Sequence, residues 1–287
     1  TKDSPWKWRE GVRISISNIA WETPHDEQVC DILQRNGVDA IDIAPGKYFP
    51  DFAAASAEHI ARVRTWWSER GIEIIGMQSL LYGTQGLNLF SEPEVQQRML
   101  DHLQEVCRIG DGLNARRLVF GSPRNRDRSG LSDEQAFEKA TSFFRRLADV
   151  AQRYQVTICL EPNPECYGSN FMTSSADTAA VVEAVAQPAI KMQFDTGALS
   201  INGESPFAIC SELRSLIGHV HASEPQLVPV GTGATDHTAS AAALKEFLSD
   251  APVTIEMLTN STDDPIAAVE ASVEYVVAGY GSAAREL

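Results

Sequence analysis

I190-K-M-Q-F-D-T-G-A-L-S200 opens with apolar Ile190, Met192 and Phe194 alternating with polar Lys191, Gln193 and Asp195. A strand turns successive side chains to opposite faces, so the alternation predicts a buried strand with Asp195 at its carboxyl end, on the face of Gln193. A carboxylate at that position needs a reason, and the rest of the chain supplies one. Similar short apolar or β-branched runs lie at 12–18, 38–44, 72–78, 116–122, 156–162, 217–223 and 253–259, making eight with this one.

Helical patterns fill the intervals. Ser91 with Glu94 and Ser132 with Gln135 have the spacing of capping boxes, and Asp264 followed by Pro265 opens a last helix. Short Gly or Asn elements, as in R35-N-G-V-D-A40, E69-R-G-I-E-I74 and D111-G-L-N-A-R-R-L118, end helices before the next strand. Residues 203–215 are the weakest helical stretch. Parallel strands need crossovers of a dozen or more residues, so eight strands alternating with helices predict an α/β fold, a single (β/α)₈ TIM barrel. An open doubly wound sheet would carry a Gly-rich phosphate loop after its first strand, and residues 14–24 contain no glycine. Nothing resembles a linker, so residues 1–287 are expected to form one domain, with the barrel core over about 11–280.

Composition narrows the function. The chain has 287 residues, 43% of them apolar, and a formal net charge of −15. That charge opposes nucleic-acid binding, which needs clustered Lys and Arg to displace counterions. The five cysteines, Cys30, Cys107, Cys159, Cys166 and Cys210, are scattered and form no CxxC pair, so neither a disulfide framework nor a thiolate zinc cluster is indicated. No leader-like stretch opens the chain, and no apolar run approaches the roughly 20 residues of a membrane span. A cytoplasmic protein without membrane partners is expected.

In a barrel of this kind, residues distant in sequence meet at the carboxyl ends of the strands. There stand Glu161, Asp195, His221 and Glu256, on strands five, six, seven and eight. Three carboxylates and an imidazole brought together without compensation would repel one another and lose hydration. One divalent cation removes that cost. Oxygen-rich ligation with one imidazole favours Mn²⁺, with Mg²⁺, Co²⁺ and Zn²⁺ compatible, and the lack of thiolates disfavours a closed structural zinc site.

Several further residues each carry two readings. Arg124, with Arg126 and Arg128, forms either an anion site after strand four or a solvated basic loop. Asn163 orients a ligand or substrate hydroxyl, or shapes a turn before Pro164. Asp236 and His237 reach the site from the loop after strand seven, or cap that loop. Trp21 and Tyr48 wall a sugar ring, or simply pack. His219, one step deeper than His221, reads as a packing or supporting residue, while His25, His59 and His102 fall in helices or their starts, away from the strand ends.

The ordered set L160-E-P, F194-D-T-G, G218-H-V-H and I255-E-M resembles the xylose isomerase-like barrels, and most of all the sugar phosphate isomerase/epimerase group that includes the ketose 3-epimerases. The resemblance implies that Glu161 and Glu256 bind the metal and exchange a proton with a substrate carbon, and that Asp195 and His221 complete the ligand set. It implies a sugar or sugar-derived small-molecule substrate, phosphorylated or free, and a homo-oligomer by analogy. Proton return to the same carbon is epimerisation; return to its neighbour is aldose–ketose isomerisation. Two positions depart from the epimerase pattern: Ala198 stands where that group has a His, and Gln226 and Leu227 where it has an Arg. Both departures remove groups that would hold sugar hydroxyls, so the substrate is expected to differ from a free ketose. Rival functions are a metal-dependent dehydratase or lyase on a keto-polyol, an apurinic endonuclease, disfavoured by the missing His ligands and the charge, and a noncatalytic sugar-binding barrel.

Overall fold

The computed structural model describes residues 12–281. The outermost residues of the expected domain, 1–11 and 282–287, lie outside the described residues and include most of the segment read for a leader. All eight expected strands form: β1 Ile14–Ser17, β2 Ala40–Ile43, β3 Glu73–Met77, β4 Arg117–Phe120, β5 Thr157–Leu160, β6 Ile190–Asp195, β7 Ile217–Ser223 and β8 Val253–Glu256. They pair in parallel and in order, and β1 also pairs with β8, from Ile14 opposite Val253 to Ile16 opposite Ile255. The sheet is closed.

The helices are α1 Asp26–Arg35, α2 Ala57–Ser68, α3 Pro93–Leu113, α4 Asp133–Arg153, α5 Ser175–Val185, α6 Thr196–Asn202, α7 Pro206–Leu213, α8 His237–Phe247 and α9 Pro265–Tyr280. Ser132 and Gln135 make both bonds of a capping box on α4, and the Asp264 side chain accepts from the backbone N–H groups of Ile266 and Ala267. The Ser91–Glu94 box does not form. Pro93 takes the first helical position of α3, where its fixed φ and missing N–H suit a helix start, and this moves the N-cap to Glu92, whose side chain makes no capping bond. The weak stretch 203–215 holds one short helix, α7, separated from α6 at Gly203 with φ 65°.

Alternation along the strands sends Ile16, Ile41, Phe120, Leu160, Phe194 and Ile255 outward, where all are buried beneath the helices. Each such side chain contributes on the order of 1.5–3 kcal/mol relative to exposure. The opposite face forms the lumen, and it is polar. Asp42 of β2 meets His219 of β7 across it, Oδ2 to Nε2 at 2.6 Å, and Arg117 Nε of β4 donates to Gly218 O of β7 at 2.9 Å. A barrel lumen is ordinarily filled with Val, Ile and Leu. Here the polar lumen is what makes β6 read as an alternating rather than a continuous apolar run. The pairing shifts by one residue between Met192 and Gln193, and between Ile41 and Asp42, beside the buried polar residues of this layer.

Candidate metal centre

The carboxyl ends of β5 to β8 bring the four predicted donors together. Glu161 directly follows β5, Asp195 and Glu256 end β6 and β8, and His221 lies within β7. His221 Nδ1 is 3.3 Å from both Glu161 Oε1 and Glu256 Oε2, and 3.9 Å from Asp195 Oδ2. One donor atom from each of the four lies within 4.8 Å of the others. His221 is fully buried, whereas the three carboxylates line a cavity above it. Neither Glu161 Oε1 nor His221 Nδ1 has a hydrogen-bond partner despite being buried. Buried polar atoms are almost always satisfied, so atoms that converge without bonding point to a shared ligand between them.

The remaining carboxylate oxygens are held by the protein. Asn163 Nδ2 donates to Glu161 Oε2 at 3.1 Å, and Gln78 Nε2 donates to Glu256 Oε1 at 2.6 Å. Asp195 Oδ1 accepts from the Ala198 backbone N–H at 2.6 Å, and Ser223 Oγ lies 2.9 Å from Asp195 Oδ2. Thus Asn163 and Gln78 each fix one glutamate oxygen and leave its mate facing His221. The fixed rotamers lower the ordering cost of binding a cation.

The electrostatics agree. Burial, and then the charges of Glu256 and Glu161, push the Asp195 carboxyl up to about 8. Burial also raises Glu256, but the facing His221 and the Gln78 hydrogen bond outweigh it and leave the group below the ordinary carboxylate range. Burial lowers His221, yet Glu256 and Glu161 lift it well above the ordinary imidazole value. The crowded negative charge behind these shifts is what a divalent cation would offset. Three carboxylates, one imidazole and two buried donors without partners fit such an ion. The second group of metal-type donors among the described residues, Asp42, His219 and His221, lies in the lumen, where Asp42 is bonded to His219.

The other predicted residues divide. Asn163 and Trp21 line the cavity, Trp21 being buried with its Nε1 on Asp26 Oδ1 at 2.7 Å. Arg124 does not line it: the side chain is exposed on the turn after β4. Arg126 is fully buried and donates Nη1 to Glu161 O at 2.7 Å, its guanidinium pushed down to about 10 by burial. Arg128 is taken up by Asp133 and Asn170. None of the three arginines lines the cavity: Arg124 faces solvent, Arg128 is engaged by Asp133 and Asn170, and Arg126 is buried on Glu161 O with its Nε and Nη2 unpartnered. Asp236 is exposed, caps α8 through Ala239 N and does not line the cavity. Tyr48 gives its hydroxyl to Asp26 and does not line the cavity, whereas His25 and His102, expected away from the strand ends, do line it.

Gln78, Ser223 and Glu224 escaped sequence reading. Gln78 had a usable signal, since it stands at the end of the third strand run as the ligands stand at theirs. Glu224 is buried below the loop 225–236, accepting from Gly231 N and Thr235 N with His237 Nε2 at 3.1 Å. It lines the cavity beside the site.

A closed eight-stranded α/β barrel with a carboxylate-rich donor cluster at its strand ends is thereby defined. The model of the xylose isomerase-like TIM barrel family matches residues 30–278, and the chain belongs to that family. It is 30% identical over 138 residues to an L-ribulose 3-epimerase of Methylomonas sp. (strain DH-1), an alignment covering 47% of each chain, so the match spans about half the length of this curated relative. Among solved structures, a D-psicose 3-epimerase from Clostridium cellulolyticum H10 superimposes with a TM-score of 0.78 at 17% identity, over 94% of this chain and all of the other. A 3-keto-D-glucoside 4-epimerase from E. coli gives 0.77 at 17%, over 93% and 99%. At those identities the likeness is one of fold. No helix among the described residues is long and apolar enough to cross a membrane.

Proposed function

We propose that the protein is a divalent-metal-dependent epimerase or isomerase of a sugar or related keto-polyol, working through an enediolate. The observation that carries this reading is the convergence of Glu161, Asp195, His221 and Glu256 on one point, with unpartnered buried atoms on Glu161 and His221. The names of the matched relatives, sugar epimerases, support it.

Glu161, Asp195, His221 and Glu256 would hold the ion, with Mn²⁺ the first choice for an oxygen-rich set bearing one imidazole. When bound, the ion supplies Lewis-acid stabilisation of negative charge developing on a substrate carbonyl oxygen. Glu161 and Glu256, on strands five and eight, are the acid/base pair: one removes the proton beside the carbonyl and the other returns a proton to the opposite face. Asn163 and Gln78 keep these carboxylates in one rotamer by bonding the oxygen that faces away from His221. Trp21 lines the cavity as an apolar wall for a sugar ring.

The test is deuterium uptake from D₂O into keto-sugars by Mn²⁺-loaded protein, with Glu161→Gln and Glu256→Gln alongside. Either variant is expected to lower exchange by about 10²–10⁴-fold, the usual worth of a positioned acid or base. Exchange that survives both substitutions, or is unchanged after chelation, would overturn the proposal. Loss of a hydroxyl in place of an epimer would redirect it to a dehydratase.

A further inference from the structure

Among the described residues, Arg126 is the one lysine or arginine that is fully buried. Its Nη1 donates to Glu161 O at 2.7 Å, while Nε and Nη2 have no partner. A guanidinium buried with unbonded N–H groups and no paired carboxylate burdens the fold, and an apolar side chain of similar volume would fill the space without that burden. The sequence nonetheless fixes it there. In the turn 123–126, Asn125 accepts from Leu89 N through its backbone oxygen and donates Nδ2 to Leu87 O, both at 2.8 Å. Beyond the turn, Arg128 Nε donates to Asn170 O at 2.7 Å. The chain is thus pinned on both sides of Arg126.

What Arg126 holds is the main chain of a donor residue. The segment after β4 shapes Glu161 at both ends: Gly121 leaves room for Oε2, where a Cβ would stand 2.1 Å away, and Arg126 bonds the carbonyl oxygen. Asn163 takes Oε2, so Oε1 is left free of the protein. Charge points the same way. Carboxylates bind a cation deprotonated and imidazole binds it neutral. Three carboxylates and a divalent cation then sum to one negative charge in a buried cluster, and Arg126 is the buried positive charge beside it. The Glu161 carboxylate acts back on Arg126, raising a guanidinium that burial lowers.

We infer that Arg126 is a positioning residue of the metal centre: it fixes the Glu161 carbonyl and brings the loaded donor cluster to neutrality. The inference rests on the metal site proposed above. It makes the charge of the preferred ion depend on a side chain that is not a ligand. With Arg126 the neutral sum is reached by a divalent cation, and without it by a trivalent one.

Titration of the wild type, Arg126→Met and Arg126→Lys with Mn²⁺, read by free-ion EPR, and with Tb³⁺, read by luminescence, tests this. Arg126→Met is expected to raise the Mn²⁺ dissociation constant about 10–100-fold, the usual effect of losing an outer contact. It should also shift the ratio of Tb³⁺ to Mn²⁺ affinity about tenfold or more toward Tb³⁺, a change that a packing role would not produce. The metal-free urea midpoint should stay within about 0.5 M of the wild type's, because a buried charge replaced by an apolar side chain is often neutral to stability. Arg126→Lys keeps the charge and should recover at least half of the lost Mn²⁺ affinity on a logarithmic scale. Unchanged Mn²⁺ binding in the methionine variant, an unshifted ion ratio, or no recovery in the lysine variant would each overturn the inference. So would a methionine variant that fails to fold, or that loses metal-free stability in step with metal affinity, since Arg126 would then be holding the fold. A wild type that binds no Mn²⁺ would remove the metal site itself, and the inference with it. Deuterium exchange into keto-sugars reads the proposed reaction separately: the expected binding without exchange leaves Arg126 in its role and removes the proton-transfer reading.

Discussion

Replacing Gln78 with Leu isolates one hydrogen bond of the donor cluster. Gln78 Nε2 lies 2.6 Å from Glu256 Oε1, with both residues buried. A hydrogen bond to a charged group is worth about 1.5–3 kcal/mol, and outer contacts of this type typically change metal affinity by about 10–100-fold. At 1.4 kcal/mol per tenfold, that range is about 1.4–2.8 kcal/mol, so the two estimates coincide. In the metal-free fold the loss of this bond is offset, because Glu256 lines the cavity, where water can take the place of the N–H. Gln78 Oε1 is itself buried without a partner, and leucine removes that unsatisfied atom together with the useful N–H. Gln78→Leu is thus expected to raise the Mn²⁺ dissociation constant about 10–100-fold, read from the free-ion EPR signal during titration, with metal-free urea unfolding changed by less than about 1 kcal/mol. An unchanged Mn²⁺ affinity in a folded variant would refute the claim that Gln78 orients Glu256. Weaker metal binding accompanied by an equal loss of metal-free stability would show that the residue merely packs.

Other expectations follow from the same geometry. A Cβ on Gly121 would stand 2.1 Å from Glu161 Oε2, so Gly121→Ala should displace that carboxylate and weaken Mn²⁺ binding at least tenfold, checked by the same titration. Asp42→Ala leaves His219 buried without its 2.6 Å hydrogen-bond partner and should cost about 1–3 kcal/mol in urea unfolding, the usual cost of a buried polar group left unpaired. Saturating Mn²⁺ at 100 times its dissociation constant should add about 2.7 kcal/mol to wild-type stability, and Asp195→Asn should abolish most of that gain in thermal melts with and without metal. Burial holds the His237 imidazole below its ordinary value against the pull of Glu224, so near neutrality the unfolded chain binds more protons than the folded one. The stability it contributes is present above the unfolded pKa of about 6.5 and is lost as pH falls toward the lower folded value. His237→Gln should flatten that slope in urea melts between about pH 5 and 7.5, and an unaltered slope would discount the residue.

The eight strands were legible because each carries a period-two or continuous apolar run bounded by turn residues, and the four-residue cluster because each member lies at or near the end of such a run on consecutive strands. The groups around the donors were less so. Gln78 and Asn163 bond Glu256 and Glu161 from loops after other strands or later in the same loop, contacts fixed by barrel closure rather than by spacing. The arginine loop, left open between an anion site and a solvated loop, was hard to read for the same reason. Residues 124, 126 and 128 share a parity that suggests one face, but they lie on and just after a short helical turn at 123–126, where alternation no longer applies. Arg126 consequently turns inward onto Glu161 O while Arg124 faces solvent.

Asp195 shows that a helix cap and a proposed metal donor are not competing descriptions of one residue. Its Oδ1 accepts the Ala198 N–H at the start of α6, the ordinary duty of a strand-end aspartate before a helix. That bond, with Ser223 on Oδ2, fixes the carboxylate beside the other donors without using any charged side chain. The consequence bears on the departure at residue 198. The alanine there lacks the imidazole that the family resemblance leads one to expect, yet retains the backbone N–H on which the geometry of Asp195 depends. The donor cluster and the rest of the cavity wall can therefore vary independently, because the geometry of Asp195 rests on a backbone N–H that any residue but proline supplies at position 198.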